Sequence, residues 1–194
     1  MSQPDHLTAL NIELPDRADL PDDLQKYFDI CDEKLGLIPN VLAAYTHNPE
    51  QLRAFSRFYN VLMLGDSGLS KLEREMIAVV VSSHNHCFYC QTAHGASVRQ
   101  YSGDPTLGEL MVMNYRAADL SERQMAMLDF AVKVTQESYR IVEIDRQALR
   151  DVGFTDEEIW DIANVAAFYN MTNRVASAVD MQPNKEYHSM FRDS

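Results

Sequence analysis

The chain has 194 residues, 46% hydrophobic and 24% charged, with 17 basic against 29 acidic side chains and a formal net charge of −12. That length supports one globular domain with a sizeable core and is short for two. The acid excess excludes a nucleic-acid binder built on clustered Lys and Arg and opposes docking to anionic membranes. The longest apolar run, Met76 to Val81, falls far below the roughly 18 residues a membrane span needs. Met1-Ser2-Gln3-Pro4-Asp5 has neither the basic region nor the apolar stretch of a secretory signal. A soluble, cytoplasmic protein with no nucleic-acid or membrane partner is therefore expected.

Glycine is scarce, at 7 residues, and no run sustains a two-residue alternation, so the chain reads as all-α. Residues 1–20 are polar and Pro-containing, an extended arm. Helices are predicted at about 21–34, 39–46, 49–64, 70–84, 88–101, 105–113, 121–137, 145–151 and 155–179. Ser70-Lys71-Leu72-Glu73, Ser121-Glu122-Arg123-Gln124 and Thr155-Asp156-Glu157-Glu158 read as capping boxes. Asn48-Pro49 and Asp104-Pro105 each offer an N-cap followed by Pro at the first helical position. Gly65, Gly68, Gly103 and Gly153 fall in the gaps, where positive φ is often needed. The segment 155–179 is apolar over most of its circumference, which calls for a central helix or a subunit interface. One domain at 21–182 is expected, followed by a tail at 183–194. The apolar side chains of that tail, Tyr187, Met190 and Phe191, either strap onto a neighbouring surface or fray.

Three cysteines are too few and too uneven for a disulfide framework. Two of them form the tight pair Cys87-Phe88-Tyr89-Cys90, while Cys31 stands alone as a packed or surface thiol. At about 100° per residue, Cys90 lies about 60° from Cys87 and His94 about 20° from it, so all three share a helix face. A thiol at a helix start is acidified by the N-terminal dipole, and an imidazole one turn away adds a proton acceptor. Such a base needs an orienting partner. Glu75 precedes the buried run Met76–Val81 and suits that role, whereas Glu73 is engaged in its capping box; spacing alone does not choose between them. Zinc is the rival reading, since His84, His86, Cys87, Cys90 and His94 are grouped. Structural zinc wants two ligand pairs on separate elements, however, and His6, His47 and His188 supply no second pair. Gln91 stands where haem attachment needs His. No metal or organic cofactor is expected.

The pattern Glu75-x11-Cys87-x2-Cys90-x3-His94 resembles the core motif of AhpD-like alkylhydroperoxidases, within the carboxymuconolactone decarboxylase superfamily. Leu35–Asn40, Leu69–Glu75, Tyr115–Ser121 and Phe168–Arg174 resemble the subgroup called peroxidase-related enzymes, so the likeness runs from about residue 20 to 182. The resemblance implies the all-helical AhpD-like fold and a homo-oligomer, a trimer or hexamer. It implies that Cys90 attacks a small hydroperoxide to become a sulfenic acid, that Cys87 resolves it as a disulfide, and that Glu75 and His94 relay the proton. An external dithiol or redox protein would reduce the pair. Peroxidases of the family carry His just before the second cysteine; here Tyr89 stands there, a donor but a poor base near neutrality. The alternatives are a redox or zinc-binding module without turnover, or a decarboxylase, which does not depend on the cysteine pair.

Overall fold

A computed structural model describes residues 3–193. Among them there is no strand, and nine α-helices follow in order. These are α1 (Asp22–Leu35), α2 (Asn40–Ala44), α3 (Pro49–Tyr59), α4 (Lys71–His84), α5 (Phe88–Ser102), α6 (Pro105–Met113), α7 (Glu122–Glu137), α8 (Glu143–Asp151) and α9 (Asp156–Ala178). No helix of the described residues is long and apolar enough to cross a membrane.

Local chemistry starts these helices as expected. Ser70, Ser121 and Thr155 close capping boxes with Glu73, Gln124 and Glu158, and the Asn48 and Asp104 side chains cap helices that begin with Pro. The predicted helix 39–46 ends as α2 at Ala44 and passes into a 3-10 turn at Tyr45–His47, and two further boundaries differ for side-chain reasons. The predicted helix 49–64 ends in a π-turn at Asn60–Leu64, where the buried Arg74 guanidinium donates to the carbonyls of Leu62 and Gly65 at 3.1 and 2.9 Å. Helix α8 begins at Glu143, two residues before the predicted start, because the Asp145 carboxylate accepts the Val142 N–H at 2.8 Å. Of the four gap glycines only Gly103 and Gly153 have positive φ; Gly36, which ends α1 at φ 71°, is the third.

Helix α4 is buried without a break from Arg74 to Ser82. It packs against α5, α6, α7 and α9, and each enclosed aliphatic side chain contributes about 1.5–3 kcal/mol. Of the two expectations for α9, a central helix or a subunit interface, the first is not met, because the single chain does not enclose α9 on every side. It buries Ile162, Val165, Ala166 and Tyr169, but Trp160 is 71% exposed and Met171 and Val175 are also exposed. An unbroken apolar run closes every face of α4, whereas α9 divides its apolar surface between core and solvent.

The chain ends are docked. The Ala9 N–H donates to the Val179 carbonyl at 2.8 Å and the Gln182 N–H to the Leu7 carbonyl at 3.0 Å. In the tail, the Tyr187 and Met190 carbonyls accept from the Arg99 guanidinium of α5 at 2.7 and 3.0 Å. The tail thus straps onto its own chain. Of the expected arm and tail, Met1, Ser2 and Ser194 lie outside the described residues.

Candidate active site

The turn between α4 and α5 places the cysteine pair. His86 adopts left-handed backbone, φ 54°, which lets the Cys87 N–H return to the Ser82 carbonyl at 2.9 Å. Cys87 therefore becomes the N-cap of α5, Cys90 sits in its first turn, and His94 follows one turn later.

Glu75 projects from α4 toward this turn. Its Oε2 lies 2.6 Å from His94 Nδ1, and the two side chains are only 5% and 13% exposed. The choice between the two carboxylates is thereby decided: Glu73 closes the capping box with Ser70, and Glu75 holds the imidazole. A carboxylate on Nδ1 keeps the hydrogen there and leaves Nε2 bare. Tyr169, on α9, adds a third contact. Its hydroxyl oxygen is 3.4 Å from the same Nδ1, and its ring meets the imidazole edge-on, centroids 4.7 Å apart at 78°.

Both thiols of the pair are free and buried. The Cys87 thiol is lowered from 9.0 to about 6, first by the Cys90 thiol donating to it, then by the Cys90 amide, the Ser177 hydroxyl and the His94 charge, against the opposing effect of burial. Cys90 is pushed well up, because it holds the shared proton, lies buried and faces the Cys87 charge. The resting pair therefore carries its negative charge on Cys87.

A cavity of about 460 Å³ opens onto this site, and Glu75, Tyr89, Cys90, His94 and Tyr169 stand in its wall. The remainder is mostly aromatic and aliphatic, supplied by α1, α3, α9 and the tail. Cys87, 1% exposed, does not line it. Tyr89 lines it too, and its hydroxyl oxygen accepts the Val41 N–H at 2.9 Å. Cys31 is buried among Leu24, Phe28 and Leu52, which pushes its thiol up. The grouped residues that suggested zinc do not converge: His84 pairs with Gln136 and His86 is exposed. Among the described residues no three His, Cys, Asp or Glu side chains come together as a metal site.

Residues 49–106 match the carboxymuconolactone decarboxylase family. A peroxidase-related protein from Silicibacter sp. TM1040 shares 64% identity over 99% of this chain and 100% of that one, with a TM-score of 0.94. The alkylhydroperoxidase AhpD core protein of Ralstonia eutropha JMP134, also peroxidase-related, shares 43% identity over 97% and 98%, with a TM-score of 0.93. The chain belongs to the AhpD-like carboxymuconolactone decarboxylase superfamily. The debrominase Bmp8 shares the AhpD-like fold, at a TM-score of 0.77 and 20% identity over 97% of each chain. No curated protein matches.

The matched family segment runs from α3 to the start of α6 and so contains Glu75, Cys87, Tyr89, Cys90 and His94. Tyr169 lies outside it, and sequence reasoning missed its contact with His94. The available signal was polarity on an apolar helix. Thr172 and Asn173 are buried one turn further along α9, and Asn173 Nδ2 donates to Ser82 Oγ at 2.9 Å.

Proposed function

We propose that the protein is a thiol-dependent peroxidase that reduces organic hydroperoxides with the Cys87–Cys90 pair and no resident cofactor. The reading rests on the buried Glu75–His94 pair beside Cys90 in the wall of one apolar cavity. The names of the two AhpD-like relatives, both peroxidase-related, support it.

His94, oriented by Glu75, takes the first proton from the dithiol at its bare Nε2. The remaining proton is shared between the sulfurs. When a hydroperoxide enters, this proton settles on Cys87 and frees the Cys90 sulfur, the one that faces the cavity. That sulfur attacks the nearer peroxide oxygen; the O–O bond breaks, Cys90 becomes a sulfenic acid, and the departing alkoxide leaves as an alcohol at the expense of the proton taken up by His94. The Cys87 sulfur then attacks the sulfenic sulfur, and its proton leaves with the hydroxyl as water. The sum is two thiols and one hydroperoxide giving one disulfide, one alcohol and one water. An external dithiol restores the pair.

Two variants test this. Cys90→Ser abolishes consumption of cumene hydroperoxide, and Cys87→Ser permits one turnover that leaves a sulfenic acid trappable by dimedone. Full activity in Cys90→Ser overturns the assignment. We also infer a homo-oligomer, a trimer or hexamer as the family resemblance implies, which would cover the exposed Trp160, Val61 and Met171; sedimentation as a monomer at micromolar concentration excludes it.

A further inference from the structure

Tyr169 is fully buried, 1% exposed, yet it stands in the wall of the cavity that holds Cys90. Among the described residues its one hydrogen-bond partner is His94 Nδ1, at 3.4 Å. That nitrogen already points its hydrogen at Glu75, 2.6 Å away. A protonated ring nitrogen has no lone pair in the ring plane to offer, so the phenol oxygen takes the weaker branch of a forked N–H bond. The phenol's own hydrogen is left without an acceptor among the described residues. A buried hydroxyl with an idle hydrogen carries a desolvation cost, and such groups recur where a ligand supplies the missing partner. Burial and the nearby Glu75 charge push the phenol well above its ordinary range, so it stays protonated and available as a donor at any working pH.

We propose that Tyr169 is a catalytic residue that delivers the proton to the departing oxygen of the hydroperoxide. The proposal rests on the peroxidase reading above. The balance closes through atoms already placed. His94 gains the thiol proton at Nε2, and its Nδ1 hydrogen passes to the phenol oxygen. The phenol's original hydrogen goes to the alkoxide, which leaves as an alcohol. The phenol ends as it began, and the imidazole ends neutral with its hydrogen moved from Nδ1 to Nε2; it regains the Nδ1 form, held by Glu75, by proton exchange when the external dithiol reduces the pair, with no further oxidant or reductant required. This also supplies what the Tyr89 position does not: Tyr89 is anchored to the Val41 amide, while Tyr169 contacts the base directly.

A packing role is the competing account, since the Tyr169 ring also meets Phe168 edge-on, centroids 5.4 Å apart at 89°. Tyr169→Phe keeps that ring and removes the hydroxyl alone. The full-length reduced protein and this variant are each assayed with cumene hydroperoxide, with peracetic acid and with iodoacetamide. Cumene hydroperoxide expels a strongly basic alkoxide that needs a proton. Peracetic acid expels a carboxylate and iodoacetamide an iodide, neither of which does. The variant is expected to lose about 100-fold with cumene hydroperoxide, and to stay within twofold of the wild type with the other two reagents. Equal losses with all three overturn the proposal, because the hydroxyl then acts on the thiol. No loss with any of them also overturns it, because the hydroxyl is then idle. A wild type inert to every hydroperoxide but readily alkylated fails differently: it removes the peroxidase reading itself.

Discussion

Glu75 Oε2 lies 2.6 Å from His94 Nδ1 across the packing of α4 on α5, with both side chains buried. Removing one partner of such a pair leaves the other's buried polar group without its hydrogen bond. Glu75→Ala is expected to destabilise the fold by about 1–3 kcal/mol. Glu75→Gln retains an acceptor for the Nδ1 hydrogen and should cost distinctly less. Urea unfolding of the two variants checks the order. Equal stability of Glu75→Ala and the wild type would show that the pair is solvated in solution.

The thiol pair sets a pH dependence. Cys87 is held at about 6 against an ordinary 9.0, chiefly by the thiol of Cys90. Iodoacetamide should therefore react with a midpoint near 6, and Cys90→Ala should move that midpoint back toward 9.0. Stability follows with a definite sign. Between about 6 and 9.0 the unfolded chain keeps a proton that the folded pair has released, so stability of the reduced protein rises with pH in that window. Below about 6 both states are protonated there and the contribution is lost. The raised Cys90 opposes it only above the ordinary thiol range. A flat stability profile between those limits contradicts the assignment of charge to Cys87.

Arg99 anchors the tail that helps to wall the cavity. It is only 5% exposed and donates to the Tyr187 and Met190 carbonyls at 2.7 and 3.0 Å. Arg99→Ala should release residues 185–191, seen as faster amide exchange there and as quicker entry of small alkylating reagents. Gly108→Ala should act in the same direction, since a Cβ at that position would approach Arg99 Cγ to 2.8 Å. Unchanged exchange in Arg99→Ala would show that the apolar contacts of the tail suffice without the guanidinium.

Core and caps should separate by magnitude. Ile77, fully buried on α4, should cost about 2–5 kcal/mol when cut to Ala, because its cavity cannot collapse against four helices. Ser121→Ala removes an N-cap of α7 and should cost about 1 kcal/mol. Thermal unfolding of both variants measures the difference, and a larger loss at Ser121 would contradict the placement of the core.

Much of this protein was legible in its sequence because the deciding contacts are local. The caps at Ser70, Ser121, Thr155, Asn48 and Asp104 join residues within one turn, so their chemistry marks helix starts before any packing occurs. The common face of Cys90 and His94 follows likewise from the helical period. Contacts between helices are another matter. Glu75 and His94 are 19 residues apart, and Tyr169 is 75 from His94. They meet only because α4 packs against both α5 and α9. Periodicity shows which residues share a face; it does not show which face meets which. The same reason explains why α4, rather than α9, is enclosed on all sides, and why Cys90 faces the cavity while Cys87 holds the charge. By itself the sequence determined the helices and the chemical groups they carry. Only the tertiary structure decided which of those groups meet, because long-range packing, not local propensity, sets how helices cross.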